Sequence, residues 1–478
     1  MEPEIADAVS TSIWSNLLTI GGFLLALFAI ARLMREKRQP GNTLGWLLVI
    51  VLIPWIGVPL YLMFAGRKIK QLAARKDRVN PSLPDAPAPS AGTRDSPAVR
   101  TMVANGAGEP VGGNDIRLIT DGQNAFAELQ KGILEAQTAI HITTFILGRE
   151  DTGKRIIALL AAKAREGVKV RLLLDALGCF VASRGFCDEL REAGGEVARF
   201  MPVVPLSTRF SANLRNHRKI AIFDHCTAIV GGHNLAREYM GPEPWDRRFV
   251  DFGAVINGPA VGLLNEVFLA DWAFASGTPL EELRSIATAP CPLPAAKGDL
   301  QVIASGPDVN GDPLYEGIVS MIHEAEHSVW IITPYFIPDE VLQRSLLIKA
   351  RAGKDVTLIV PENSNHPITD HARRHYLREL DQAGARILLY QPRMLHAKAM
   401  IVDDTIAVFG SANFDLRSLF VNFEIGIASY SPADVAKIRV WAGDLVRDCV
   451  TYHPGRPRRY PVLSSLGEDL SRLLAPLL

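Results

Sequence analysis

The sequence predicts an α/β protein. It would have two similar halves, each a mixed β-sheet flanked by helices, related by a pseudo-twofold axis and preceded by two N-terminal membrane helices. Three observations carry this expectation. A short motif occurs twice in the same register, a series of helix–strand pairs repeats around it, and two long apolar runs open the chain.

The repeated motif is H-x-K-x4-D. His217-Arg218-Lys219-Ile220-Ala221-Ile222-Phe223-Asp224 leads to Gly231-Gly232-His233-Asn234, and His396-Ala397-Lys398-Ala399-Met400-Ile401-Val402-Asp403 leads to Gly410-Ser411-Ala412-Asn413. The offsets from His to Lys, Asp and Asn agree in both copies. One such motif is a weak signal, whereas two in register with matching Gly and Asn are not coincidence. The residues after each Lys read as a strand, in which side chains two apart share a face, so His and Lys point toward one ligand. Each Asp ends its strand and starts a turn, and a second apolar run follows, which makes a hairpin. Gly-Gly or Gly-Ser at the end of the hairpin lets the backbone approach a ligand before Asn adds an amide donor. An imidazole, an ammonium and an amide brought together twice describe a site for a phosphate ester.

The apolar runs justify the first elements. Residues 8–31 carry no charge over about 24 positions, long enough to span a bilayer. Residues 40–66 form a longer run that Pro54, Gly57 and Pro59 would bend or make re-entrant. The first run is not a cleaved signal, because Glu2, Glu4 and Asp7 stand where basic residues belong. Arg32, Arg35, Lys37 and Arg38 lie in the loop between the runs, and Arg67, Lys68, Lys70, Arg75, Lys76 and Arg78 follow them, so the charge rule leaves the orientation open. Residues 1–78 are therefore expected to anchor the chain.

Residues 79–113, rich in Pro, Ala, Gly and Ser, are expected to be a flexible linker. The remainder divides into a first half, 114–290, and a second half, 291–478. Helix 129–136 and strand 139–145 match 318–325 and 328–335. Residues 164–175 match 350–360, and 189–195 match 379–384. Strands alternating with helices give α/β halves, and a twofold relation would set the two His-Lys-Asn groups across one site. The apolar tail 463–478 is expected to lie on the membrane or dock onto the core.

Composition excludes some functions. At 478 residues and 48% hydrophobic content the chain exceeds one ordinary domain, and its net charge of +0 argues against nucleic acid as a partner. Five scattered cysteines suggest free thiols, favouring the cytosolic face for the catalytic part. His323, His327, His366, His371 and His375 are not duplicated and read as polar loop and helix residues, so neither a metal nor another cofactor is expected.

With these residues in view, the chain resembles the bacterial cardiolipin synthases of the phospholipase D superfamily, the type with two N-terminal membrane segments. The two HKD motifs carry the resemblance, together with Thr333-Pro334-Tyr335-Phe336-Ile337-Pro338-Asp339-Glu340, the run from Gly410 to Ser418, Asn422-Phe423-Glu424, and Trp46-Leu47-Leu48 and Ile53-Pro54-Trp55-Ile56-Gly57 in the leader. His233 departs from the apolar residue usual in the family and is expected near the site without a role. The resemblance implies phosphatidyl transfer between two phosphatidylglycerol molecules, giving cardiolipin and glycerol through a phosphatidyl-histidine. It implies His217 as nucleophile and His396 as acid/base, with Lys219, Lys398, Asp224 and Asp403 completing the catalytic motifs. The two Asp residues are expected to hold turns rather than touch phosphate. Asn234, Asn413 and Ser411 are expected at the substrate. Behind the histidines, Glu424 would orient His217 and Asp251 would orient His396.

Arg215, Arg218, Arg247, Arg248 and Arg417 would meet lipid headgroups or simply solvate a face. The same residues would also serve a phospholipase D hydrolase releasing phosphatidic acid, or a synthase using phosphatidylethanolamine as co-substrate. The resemblance makes the cell membrane the expected location, with a multi-pass anchor and the bilayer as partner. It leaves the oligomeric state unassigned.

Overall fold

The structure is a computed structural model that describes residues 2–34, 40–64, 76, 83, 86–180, 185–202, 214–284 and 298–453. Two units are distinguished, Met1–Leu72 with Ser211–Asn213, and Ala73–Phe210 with Leu214–Leu478.

In the first unit, α1 spans Glu2–Leu33. The second apolar run divides into α2 (Pro40–Leu52) and α3 (Pro54–Phe64). Pro54 has no N–H to continue the ladder, so the chain turns there, as the sequence implied. Gly57 is required at this bend, since a Cβ would meet the Val49 carbonyl oxygen at 2.4 Å. Ala26, Ala29, Leu33, Ile50, Val58 and Tyr61 are buried together, and the Trp46 and Tyr61 rings meet edge to face at 5.7 Å. Trp14, Leu17, Ile20, Phe23, Leu27, Phe28, Leu48, Val51, Trp55 and Ile56 face outward. Among the described residues no helix is long and apolar enough to cross a membrane.

The second unit is organised by its strands. In chain order the first half contributes β1 (Val111–Ile119), β2 (Ala139–Thr144), β3 (Lys169–Asp175), β4 (Glu196–Phe200), β5 (Ile220–Phe223), β6 (Thr227–Gly231) and β7 (Gly253–Asn257). The second half contributes β8 (Gly298–Ser305), β9 (Ser328–Ile332), β10 (Phe336–Ile337), β11 (Asp355–Pro361) and β12 (Arg386–Tyr390). It continues with β13 (Ala399–Val402), β14 (Ile406–Gly410), β15 (Phe414–Asp415), β16 (Glu424–Ser429) and β17 (Cys449–Thr451). Outward from the centre, the order β1-β7-β6-β5-β2-β3-β4 is mirrored by β8-β16-β14-β13-β9-β11-β12, with β17 added at the edge. This is the expected duplication with its mixed sheets.

The halves also share one sheet. The leading strands β1 and β8 pair antiparallel, Val111 with Leu300 and Asn114 with Gly298. Each half thus covers an otherwise open edge of the other. The helix Ala260–Ser276 is buried over most of its length and carries the buried polar residues Asn265 and Asp271 among its apolar ones.

The stretch expected to be a linker is partly packed. Helices occupy Ala91–Asp95 and Pro97–Ala104, and Ala98, Val99 and Met102 join the core of the second half. Ser90 N–H and the Thr93 hydroxyl both donate to Asp299, at 2.9 and 2.8 Å. Cys226 is disulfide-bonded, whereas Cys179, Cys187 and Cys449 are free. The expectation of free thiols fails at Cys226, and the cysteine argument for the cytosolic face fails with it. Cys291, the flanking basic residues Arg35 to Arg38 and Arg67 to Arg75, and the tail 463–478 lie outside the described residues.

Candidate active site

The strand extension in front of each HKD hairpin pairs with the other half. The His217 N–H donates to the Phe423 carbonyl at 2.9 Å, and the Phe423 N–H donates to the Arg215 carbonyl at 2.9 Å. The twofold counterpart has the His396 N–H donating to Val250 at 2.7 Å and the Val250 N–H donating to Met394 at 2.9 Å. One residue beyond each anchor stands a carboxylate. Glu424 therefore meets His217, and Asp251 meets His396. His217 Nδ1 lies 3.1 Å from Glu424 Oε2, and His396 Nδ1 lies 2.6 Å from Asp251 Oδ2. With Nδ1 engaged, Nε2 of His217 is left for chemistry, whereas Nε2 of His396 lies 3.2 Å from the Lys398 ammonium.

The two lysines sit against these rings. Lys219 Nζ donates to the His217 carbonyl at 2.7 Å. Lys398 Nζ donates to the His396 carbonyl and lies 2.8 Å from His396 Nδ1. The Phe145 ring packs edge-on to His217 at 5.0 Å, and the Tyr239 ring packs edge-on to His396 at 5.0 Å. These aromatic walls were not read from the sequence. The register of the duplication sets Phe145 opposite Pro334 and gave no signal for the first.

Burial governs the electrostatics. It lowers Lys219 to about 7 and Lys398 to about 8, in spite of Glu424 and Asp251 nearby. Burial and then Lys398 bring His396 down to about 3, against the pull of Asp251. His217 is lowered by burial, with Glu424 partly offsetting it. Burial alone would raise Asp251 and Glu424, yet the facing histidines hold both below the usual carboxylate range. The empty site thus holds neutral imidazoles beside ionised carboxylates and easily deprotonated ammoniums.

The remaining expected residues divide. Asn234 accepts from the Ile146 N–H at 3.1 Å, and Asn413 donates to the Ser418 hydroxyl at 3.2 Å with its own oxygen buried and unpartnered. Ser411 spends its hydroxyl on Glu424 and accepts from the Ile425 N–H at 2.9 Å, which leaves no donor for a ligand. Its twofold counterpart Gly232 has no room for a side chain, since a Cβ would stand 2.1 Å from Asp251 Oδ1. The expected glycine approach to a ligand is therefore an approach to the carboxylate strand.

Asp224 and Asp403 lie at the far ends of their hairpins. The Asp224 carboxylate collects the N–H groups of Gln137, Thr138 and Ala139, and Asp403 those of Glu326, His327 and Ser328. Both residues adopt left-handed backbone, with φ of 51° and 49°. Asp224 is five residues past Lys219, roughly 16 Å along a strand, too far to touch the same phosphate.

Of the arginines, Arg218 is wholly buried and paired with Asp271, and Arg215 is buried beside Asp175. Neither is placed to solvate a face. His233 is buried near Asp251 with its Nε2 unpartnered.

The comparisons with known proteins agree with this geometry. The family described as "Cardiolipin synthase, PLD-like domain" matches residues 129–272 and 318–445, one match per half. This chain belongs to the phospholipase D-type cardiolipin synthases. A second family, phospholipase D-nuclease N-terminal, matches residues 24–66. The cardiolipin synthase of Alkalihalophilus pseudofirmus is 34% identical over 462 residues, covering 93% of this chain and 90% of its own. The major cardiolipin synthase ClsA of Bacillus subtilis is 33% identical over 488 residues, covering 98% of this chain and 100% of its own. Among solved structures, the phosphatidylserine synthase of Haemophilus influenzae Rd KW20 superposes with a TM-score of 0.58 at 16% identity. That likeness covers 76% of this chain and 95% of the other, and it shows a shared fold.

Proposed function

We propose that this cardiolipin synthase family member makes cardiolipin from two molecules of phosphatidylglycerol at a site built by both halves. The observation that carries the reading is the pair of imidazoles, each held at Nδ1 by a carboxylate from the opposite half, with a buried lysine beside each. His217 Nε2 attacks phosphorus, the P–N bond forms, and the bond to the glycerol oxygen breaks as His396 gives that oxygen a proton. His396, now neutral, takes a proton from the hydroxyl of the second phosphatidylglycerol. That oxygen attacks phosphorus, the P–N bond breaks, and His217 is restored.

His396 must carry a proton in the first step, although the empty site holds it near 3. An anionic phosphodiester beside the ring raises that value, so substrate binding brings the proton with it. Lys219 and Lys398, with the Asn234 and Asn413 amides, face the charge that develops on the phosphoryl oxygens. Ser411 acts through Glu424, and Asp224 and Asp403 act through the hairpin turns. The outward apolar residues of α1, α2 and α3 support a seat on the bilayer that holds both substrates.

The test uses the full chain in mixed micelles with labelled phosphatidylglycerol. Wild type should release glycerol and form cardiolipin. His217→Ala and His396→Ala should each lose roughly a thousandfold or more in turnover. Rapid quenching in denaturing detergent at neutral pH, which spares the acid-labile P–N bond, should trap lipid label on wild type and none on His217→Ala. Phosphatidic acid with little cardiolipin would make water the acceptor and replace this reading with hydrolysis. Full turnover in either variant would sink the site assignment.

A further inference from the structure

Around the chain neighbours of His217, four charged side chains are wholly excluded from solvent: Lys76, Arg218, Asp271 and Asp308. Lys76 Nζ is 2.7 Å from Asp271 Oδ1 and also pairs with Asp308. Arg218 Nη1 is 2.7 Å from the same Asp271 oxygen, and its Nη2 is 3.4 Å from Asp308. Asn216 Nδ2 donates to the other Asp271 oxygen at 2.9 Å. Two cations thus face two carboxylates, and the cluster is neutral only while all four are present.

This cluster grips the His217 side of the site at every point. Asn216 and Arg218 are the chain neighbours of His217, and both side chains end in it. Arg218 Nε also donates to the Glu424 carbonyl at 3.0 Å. The Phe423 ring lies 5.2 Å from the Lys76 ammonium and 5.6 Å from the Arg218 guanidinium. The carbonyl of that same Phe423 anchors the His217 N–H. The twofold offers no counterpart, because the residue matching Arg218 is Ala397, itself fully buried. Three members come from the two halves, whereas Lys76 comes from the segment that follows the N-terminal unit, shortly past Leu72.

We propose that Lys76 is a positioning residue for the reaction centre. Its ammonium completes the charge balance that holds Asn216, Arg218 and the Phe423–Glu424 backbone around His217. Lys76, which belongs to the second unit, is thereby a built part of the site. Without Lys76 the cluster carries an uncompensated buried carboxylate, which must take up a proton or admit water, and Arg218 loses the geometry both Asp residues impose. Small displacements at a nucleophile are costly, since a shift of about 1 Å can lower turnover about a hundredfold.

The proposal rests on His217 acting on phosphorus, and the experiment separates the two. Full-length wild type, Lys76→Met, Asp308→Asn and the double variant are assayed on phosphatidylglycerol micelles beside His217→Ala. Melting curves give the folded fraction of each. Lys76→Met is expected to lower kcat per folded enzyme about ten- to a hundredfold with KM near wild type. The rate of trapped phosphatidyl-enzyme formation should fall in parallel. The double variant, which leaves Arg218 and Asp271 as a neutral pair, should recover to within about threefold of wild type. Unchanged kcat per folded enzyme in Lys76→Met, a KM effect alone, or no recovery in the double variant would each overturn the positioning role. Activity retained by His217→Ala would instead overturn the functional reading beneath it.

Discussion

Lys219 and Lys398 show how burial sets the working range of single residues. Both are pushed down by desolvation, to about 7 and about 8, although carboxylates lie close by. Holding a phosphodiester requires their charged forms, so kcat/KM, which reports the free enzyme, should begin to fall as pH rises through about 7 and fall further through about 8. Stability should move the other way. Between about pH 8 and 10 the unfolded chain keeps protons on these lysines that the folded chain has released, so folding becomes more favourable as pH rises. Measured together, kcat/KM and Tm should diverge over this window, and Lys219→Arg should carry the first fall in activity to higher pH. A flat kcat/KM from pH 7 to 10 would remove the lysines from phosphate binding. The types and spacing of His, Lys and Asn were legible because the chemistry sits in consecutive residues. The contact of Ser411 with Glu424 was not legible, because only the pairing of β14 with β16 brings the two together.

The hairpins put the motif Asp and the motif Gly to structural use. Asp403 accepts three backbone N–H groups at the start of β9 while occupying a left-handed turn. Asp403→Ala leaves those donors unmatched and should cost about 2 kcal/mol, read as a lower midpoint in urea, with kcat per folded enzyme within about twofold of wild type. A loss of about a thousandfold in kcat without loss of stability would return this carboxylate to the chemistry. Gly232→Ala should do the reverse, because its Cβ would press on the carboxylate that holds His396. Its expected signature is a large fall in kcat with KM little changed, and normal turnover would mean that Asp251 can shift freely. The Asp position was legible as a turn, since the second apolar run followed it. The glycine's real neighbour was not, because Asp251, just ahead of β7, lies outside the motif.

At the scale of the whole molecule the duplication was legible and its closure was not. β1 reads Val-Gly-Gly-Asn-Asp at its start, a poor strand pattern, so its pairing with β8 left no sequence signal. The helix Pro97–Ala104 was hidden by a Pro- and Ala-rich composition, although Pro at its first turn and Ala98, Val99 and Met102 on one face are ordinary helix signals. Lys76 looked like one more basic residue after an apolar run, and only long-range folding shows where its charge goes.

Membrane association is a prediction that the first unit alone carries. Trp14, Leu17, Ile20, Phe23, Leu27 and Phe28 line an exposed apolar face on α1, where each is about half exposed or more. Water does not favour such a face, and a lipid interior does. Membrane binding should therefore be apolar in origin and insensitive to salt. Full-length protein should co-float with phosphatidylglycerol vesicles and remain bound in about 1 M salt, where surface charge is screened within about 3 Å. Phe23→Lys with Leu27→Lys should release it, since each lysine at lipid depth costs about 3 kcal/mol. If salt alone released the wild type, binding would be an electrostatic association with anionic headgroups, and the apolar face of α1 would need another partner.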